Sequence, residues 1–324
     1  MANFTFLFLK EQILNAQKIL ILTHNEPDGD AIGSSLALKK VIKNNWGKKC
    51  EVFFTGKINV NYRIEDEDKS LEEERLRLSE FDLIIVLDTN NISRTGVERI
   101  KERASKSKIM IIDHHIKRGR DLSMPNVSYF INSKATATCE IVFDILKNLK
   151  EEINSEVASL LLLGIYTDSG GFFHSNTKPT LILKVKELLS KGVVFKNIVK
   201  NSFKGKKVST LKLLGRKISE AKINSKLGFI YSHITDKEIK EVGASRDEIG
   251  GLVNILNMCE ETKFSLLLVE SGDGRIKGSL RSSGAKFIDV NIIGRFLGGG
   301  GHKLASGFET FGKIVETGEK IKIN

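Results

Sequence analysis

A chain of 324 residues is longer than one average core requires and suits two domains. With 40% apolar and 28% charged residues it has the composition of a globular and not a disordered protein, and three scattered cysteines (Cys50, Cys139, Cys259) without a CxxC pair suit a reducing compartment and buried thiols better than a disulfide framework or a zinc ribbon. The net charge of +11 invites a polyanionic partner, more so toward the C-terminus, where residues 201–324 hold 21 Lys+Arg against 14 Asp+Glu; a solubilising lysine-rich surface explains charge alone equally well.

The opening "MANFTFLFLKEQIL" lacks a basic leader and is interrupted by Lys10 and Glu11, so it predicts an amphipathic first helix and not a signal peptide. No apolar run approaches the ~20 residues that span a bilayer, and the longest candidate, "VASLLLLGIYT", stops short. The expectation is a cytoplasmic protein without membrane contact.

"KILILT" (18–23), "CEVFF" (50–54), "DLIIVL" (82–87) and "KIMII" (108–112) are short, rich in β-branched residues and free of polar alternation, as strands buried on both faces are. Helical patterns such as "AIGSSLALKKVI" (31–42) lie between them, and this βαβ spacing predicts an α/β domain with a doubly wound, mainly parallel sheet over residues 1–195. The acidic stretch 65–80 reads as a solvated helix or loop. "TATCEIVFDILKNL" (136–149) and "SEVASLLLLGIY" (155–166) predict a helix pair, with Ser155 as N-cap of the second. Beyond 193 the chain turns basic, and 196–224 is read as a helical linker. A smaller α/β domain follows at 225–324, with strands at 227–234, 263–270 and 275–282 and helices at about 246–258 and 289–297.

Acidic and histidine clusters follow four of the apolar runs. They are His24, Asp28 and Asp30; then Asp88; then Asp113, His114 and His115; then Asp168. In open α/β sheets, sites lie beyond the carboxyl ends of the strands, so the first three clusters converge if those strands are neighbours, and Asp168 can reach them from a helix end. Carboxylates with imidazoles and no nearby thiolate suit Mn²⁺ or Mg²⁺, and a set this large suits two ions ~3.5–4 Å apart that clamp a phosphoryl group and generate a hydroxide. Taken singly the pieces are ordinary: Asp28 and Asp30 fit a turn and an N-cap, Asp88 before "TNN" an Asx turn. An EF-hand is excluded, because Ile32 occupies the next ligand position. Near the C-terminus, "FLGGGGHKLASG" (296–307) offers backbone that can approach a phosphate, or simply a mobile loop. In "LRSSG" (280–284), Arg281 offers a bidentate phosphate grip, or an ordinary surface ion pair.

Together these motifs resemble the DHH–DHHA1 phosphoesterases across nearly the whole chain. "HNEPDGDAIGS", "VLDTNN", "IIDHH" and "YTDSGGFFHSNT" look like the four motifs of the DHH domain, and "LRSSG" and "GGGGHKLASG" like the substrate-binding motifs of the DHHA1 domain. The chain is too short for the RecJ exonucleases, and "GGGGH" argues against the pyrophosphatase branch. The resemblance is to the compact standalone branch of nanoRNases, pAp phosphatases and cyclic-di-AMP phosphodiesterases.

The resemblance implies a cleft between the two domains and two Mn²⁺ ions, with Mg²⁺ or Co²⁺ as substitutes. His24, Asp28 and Asp88 would hold one ion; Asp30, Asp88 as bridge, His114 and Asp168 would hold the other. Asp113 would orient His114, and His115 would touch the scissile phosphate or leaving oxygen. Arg281, Ser282, Gly299, Gly300 and His302 would bind the remote part of the substrate. The implied activity is two-metal hydrolysis of cyclic-di-AMP, linear pApA or very short oligoribonucleotides (nanoRNA) to 5′-mononucleotides, with pAp phosphatase action as the alternative. A catalytically silent nucleotide sensor is the non-enzymatic one. Long duplex nucleic acid is not an expected partner, and a homodimer is left open. Phe172, Phe173 and His174 could stack a base, core packing being the other role for at least one phenylalanine.

Overall fold

Short strands without polar alternation need cover on both faces, and the N-terminal part of the chain supplies it. The computed structural model describes residues 5–56, 58, 76–98, 100, 102, 107–115, 126–174, 176–203, 207–244, 246–283, 286, 288–317 and 320–323. The chain divides into two compact units, Met1–Lys204 and Gly205–Asn324.

The first unit runs α1 (Phe6–Asn15), β1 (Lys18–Leu22), α2 (Gly29–Asn44), β2 (Lys49–Phe53), β3 (Leu83–Leu87), β4 (Lys108–Asp113), β5 (Val127–Ile131), α3 (Thr138–Asn148), α4 (Ser155–Asp168), α5 (Pro179–Leu189) and α6 (Phe195–Phe203). The sheet has the order β2-β1-β3-β4-β5, and every neighbouring pair is parallel. Strand residues alternate between two cores. Ile19, Ile21, Ile85, Leu87, Met110 and Ile112 pack with residues of α1 to α6. Leu20, Leu22, Ile84, Val86, Ile109 and Ile111 pack on the opposite face with Phe53, Phe81, Ile92 and Ile100. After β1 the chain moves outward to β2, then returns to the other side of β1 to form β3. The crevice beyond the carboxyl ends of β1 and β3 is therefore a topological switch point, where such sheets place their sites.

The four strands expected at 18–23, 50–54, 82–87 and 108–112 are β1 to β4. The fifth, "VSYFI", is a half-buried edge strand and lacks the continuous apolar run that marks its neighbours. α4 is capped by Asn154, whose side chain accepts from the Val157 N–H at 2.9 Å, and not by Ser155, which is the first helical residue. α2 and α4 come close at Gly33 and Gly164. A Cβ on Gly33 would run into the Leu160 carbonyl, and one on Gly164 into the Cys139 sulfur and the Asp30 carboxylate.

The stretch 196–224 is mostly helical, but different units absorb its helices. In α6, Phe195 packs its ring against Tyr166 and Phe172, and Ile198 joins the first unit's core. α7 (Val208–Ser219) buries Leu213 and Leu214 in the second.

The second unit continues with β6 (Lys222–Asn224), β7 (Phe229–Ile234), α8 (Asp236–Val242), α9 (Arg246–Gly250), α10 (Leu252–Leu256), β8 (Phe264–Glu270), β9 (Arg275–Arg281), α11 (Val290–Phe296), β10 (Gly300–His302) and β11 (Ala305–Phe311). Its sheet has the order β10-β11-β9-β8-β7-β6, antiparallel except between β7 and β8. β12 (Ile314–Thr317) pairs with β13 (Lys320–Ile323). The four-glycine stretch is thus built into a strand pair: Gly300 lies opposite Gly307, and Gly301 opposite Ser306. Of the acidic segment, residues 65–75 lie outside the described residues, and Leu78–Glu80 forms a 3₁₀ turn. No helix among the described residues is long and apolar enough to cross a membrane.

Candidate metal centre

The turn between β1 and α2 gives each oxygen of one carboxylate its own task. Asp28 is the N-cap of α2, its Oδ1 accepting from the Asp30 and Ala31 N–H groups at 3.0 Å each. Its Oδ2 lies 3.9 Å from His24 Nε2. His24 Nδ1 bonds the Asn25 carbonyl at 3.0 Å, which sets the proton on that nitrogen and leaves the Nε2 lone pair facing Asp28 and Asp88. Capping and ligation are compatible in Asp28.

Asp88 follows β3 with a left-handed backbone (φ 61°), an uncommon state for a non-glycine residue and one that clusters at functional sites. The turn is held by the Asp88 N–H donating to the Ile112 carbonyl at 3.1 Å. It aims the buried carboxylate into the centre, with Oδ2 3.6 Å from His24 Nε2 and Oδ1 3.5 Å from His114 Nε2. His114 Nε2 also lies 3.2 Å from Asp168 Oδ2 and 3.9 Å from Asp30 Oδ2. Asp168 is the last residue of α4, and the glycine contact between α2 and α4 carries it to Asp30.

The end of β4 departs from expectation in one respect. The resemblance implies that Asp113 orients His114, but its Oδ1 accepts from the His115 N–H at 3.1 Å and lies 2.7 Å from His115 Nδ1. The reason is local: a carboxylate at a strand end reaches the N–H two residues on, which folds the chain into an Asx turn. His115 is the more open imidazole, with 38% of its side chain exposed against 6% for His114.

The charges are crowded. Burial, then the nearby Asp168, raises Asp30 to about 6. Burial followed by Asp30 and Asp28 raises Asp88 well above the usual carboxylate range. For Asp168 burial acts upward, but its bond with His114 prevails and its pKa is lowered, while His114 is raised well above an ordinary imidazole against its own burial. Asp113 is likewise held low by His115 in spite of burial. Burial holds Cys139 firmly as a thiol.

This donor set fits divalent metal ions. Ligand atoms of His24, Asp28 and Asp88 lie within 4.8 Å of one another, as do those of Asp30, His114 and Asp168, and those of Asp88, Asp113, His114 and His115. Four carboxylates, Asp28, Asp30, Asp88 and Asp168, converge on two imidazoles, and the crowding that raises Asp30 and Asp88 is what added cations relieve. Oxygen and imidazole ligands without thiolate suit Mn²⁺ or Mg²⁺ better than a soft ion.

Sequence reasoning missed the first turn of α3. The Thr138 and Cys139 N–H groups donate to the two Asp30 oxygens at 2.6 and 2.8 Å, and the Thr138 hydroxyl donates to Asp88 Oδ1 at 2.9 Å. A threonine opening an apolar helix carries no mark of this in the sequence. After Asp168, Gly170, Gly171 and Phe172 all have positive φ (58°, 69°, 72°). This turn sends Phe172 toward Tyr166 and Phe195 and leaves Phe173 90% exposed.

In the second unit, Arg281 is half-buried at the end of β9. Its Nε donates to Asn254 Oδ1 at 3.0 Å and Nη1 to the Leu280 carbonyl at 2.9 Å, and burial lowers its pKa. The Ser282 hydroxyl donates inward to the Lys263 carbonyl at 3.2 Å. The Gly299 N–H donates to the Gly294 carbonyl at 2.8 Å, and Gly300 sits on β10. His302 pairs its backbone with Ala305, and its side chain lies outside the described residues.

Residues 18–165 match the model of the DHH family, N-terminal domain, and residues 227–314 that of the DHHA1 domain. The chain is 31% identical to the bifunctional oligoribonuclease and PAP phosphatase NrnA of Mycoplasma genitalium, over 90% of this chain and 87% of that one. It is 26% identical to the cyclic-di-AMP phosphodiesterase GdpP of Geobacillus thermodenitrificans, over 91% of this chain and 45% of that one. The crystal structure of an exopolyphosphatase-related protein from Bacteroides fragilis superposes with a TM-score of 0.83 at 28% identity, covering 95% of this chain and 91% of that one.

Proposed function

Since the chain belongs to the DHH family, with a DHHA1 domain following the DHH domain, we propose that it is a metal-dependent phosphoesterase that cleaves very short oligoribonucleotides to 5′-mononucleotides and removes the 3′-phosphate of pAp. The carrying observation is that Asp88 stands between two groups of ligands, with one oxygen toward His24 and the other toward His114. Its relative from Mycoplasma genitalium, which bears both activities in its name, supports the substrate class.

His24, Asp28 and Asp88 would hold one Mn²⁺, and Asp30, Asp88, His114 and Asp168 a second. Ions bound there supply Lewis-acid stabilisation of the phosphoryl charge and lower the pKa of water. His115, kept in one orientation by Asp113, would act on the scissile phosphate or the leaving oxygen. Arg281, fixed by Asn254, would take a remote phosphate, with Ser282, Gly299, Gly300 and His302 beside it in the same role. The three free thiols suit a cytoplasmic enzyme.

A second reading, hydrolysis of cyclic-di-AMP or linear pApA, draws on the similarity to GdpP. The test is purified full-length protein with Mn²⁺ and a panel of RNA dimers to pentamers, pAp, pApA and cyclic-di-AMP, with products separated by chromatography. Mononucleotides from the short RNAs and AMP from pAp are expected. Preferential turnover of cyclic-di-AMP would move the assignment to the second reading, and binding without turnover would leave a sensor.

A further inference from the structure

Thr138 is completely buried, yet it carries none of the acidity or basicity that marks the residues around it. Its hydroxyl donates to Asp88 Oδ1, its N–H to Asp30 Oδ2, and the next N–H, of Cys139, to Asp30 Oδ1. One residue at the start of α3 therefore ties together a carboxylate from α2 and one from the end of β3. The oxygen it touches on Asp88 is the one facing His114 at 3.5 Å and His115 at 3.8 Å, while the other oxygen faces His24.

A carboxylate turns about its last torsion in a broad, roughly two-fold well, so packing alone selects its plane weakly. A threonine hydroxyl is a good selector. The β-branched side chain is stiff at χ1, and an oxygen that accepts one hydrogen bond keeps a lone pair for a metal. Asp30 is treated similarly by two backbone donors, which no substitution of side chain removes.

We propose that Thr138 is a positioning residue for the metal pair: its hydroxyl sets the plane of the Asp88 carboxylate so that one oxygen serves each ion position. This rests on the two-ion reading above. Thr138 is fully buried and its hydroxyl is bonded to Asp88, so its effect is on ion binding first and on turnover through it.

The experiment is Mn²⁺ titration of the full chain by calorimetry and by electron paramagnetic resonance, with wild type, Thr138→Val, Thr138→Ser and Thr138→Ala. Wild type is expected to bind two Mn²⁺ and show the spectrum of a coupled pair. Val keeps the shape and loses the donor, so Thr138→Val should weaken binding of the pair by ~10–100-fold, the usual range for outer-shell partners. The coupled signal should then be lost at metal concentrations that load wild type, and Thr138→Ser should recover affinity to within a few-fold. Wild-type Mn²⁺ affinity and coupling in Thr138→Val overturns the proposal. So does Thr138→Ser as weak as Thr138→Val, which would make the role one of packing. Should Thr138→Val not fold, Thr138→Ala against Thr138→Ser makes the same comparison. A wild type that binds only one Mn²⁺ overturns the two-ion reading itself, whatever the variants do.

Discussion

His24 and Asp88 face each other across the switch point of the parallel sheet, Nε2 to Oδ2 at 3.6 Å, each held by its own backbone. The imidazole is fixed by the Asn25 carbonyl, and the carboxylate by a left-handed turn bonded to Ile112. Both groups are thus held by hydrogen bonds that involve no cation. Asp88→Asn removes the charge shared by both ligand groups and leaves an oxygen for Thr138. It should cost more than the ~10–100-fold typical of outer-shell changes and abolish Mn²⁺-dependent turnover. Steady-state rates with a short RNA, alongside Mn²⁺ titration, check this.

Asp113 and His115 form a unit of a different kind, a buried carboxylate and a half-open imidazole joined at 2.7 Å. His115→Ala should lower kcat by ~10²–10⁴-fold, the range for a lost proton-transfer group, while both Mn²⁺ ions still bind. Asp113→Asn, which leaves the ring in place without its charged partner, should fall between that variant and wild type. Equal loss of Mn²⁺ in both variants would make them ligands instead.

Stability without metal should fall as pH rises. An acid whose pKa is raised by folding, as Asp30 is from 3.8 to about 6, costs nothing below 3.8 and its full amount above about 6. His114, raised above 6.5, stabilises fully below that value and loses its contribution at higher pH. Asp113 and Asp168 are lowered, so their contribution is complete above 3.8 and constant through this window. Chelator-treated protein should therefore melt several degrees higher at about pH 5.5 than at about pH 8, and added Mn²⁺ should raise Tm more at the higher pH. Differential scanning fluorimetry with and without Mn²⁺ measures both.

Gly164→Ala tests how the helices deliver Asp168 to Asp30. The new methyl would meet the Cys139 sulfur and the Asp30 carboxylate, both fully buried. Overpacking of this kind costs roughly 1–3 kcal/mol, and here the strain falls on a ligand. Denaturant melts should show that loss, and Mn²⁺ affinity should drop with it. A stable variant with wild-type Mn²⁺ binding would mean that the α2–α4 approach can relax without moving the centre.

The strand-end chemistry was legible from the chain alone because it is local. A run buried on both faces has no polar alternation, and the ionisable groups that follow it mark where the apolar cover stops. That located β1 to β4, His24, Asp28, Asp30, Asp88 and the Asp113–His115 triplet, while Asp168 followed the apolar run of a helix, and the resemblance divided them into ligand groups. β5 escaped because an edge strand is half-solvated and its residues carry a mixed pattern.

The tertiary structure alone decided how these groups are aimed. Asp28 divides its oxygens between a helix cap and His24, Asp113 serves His115, and Asp88 takes a left-handed backbone that its residue type does not announce. Thr138 enters the centre only because α3 starts where the carboxylates of α2 and β3 converge. Residue types and spacing are properties of a segment, so a sequence shows which groups can bind an ion. The direction of a carboxylate oxygen depends on donors contributed by segments far away in the chain, and those are set by how the helices pack on the sheet.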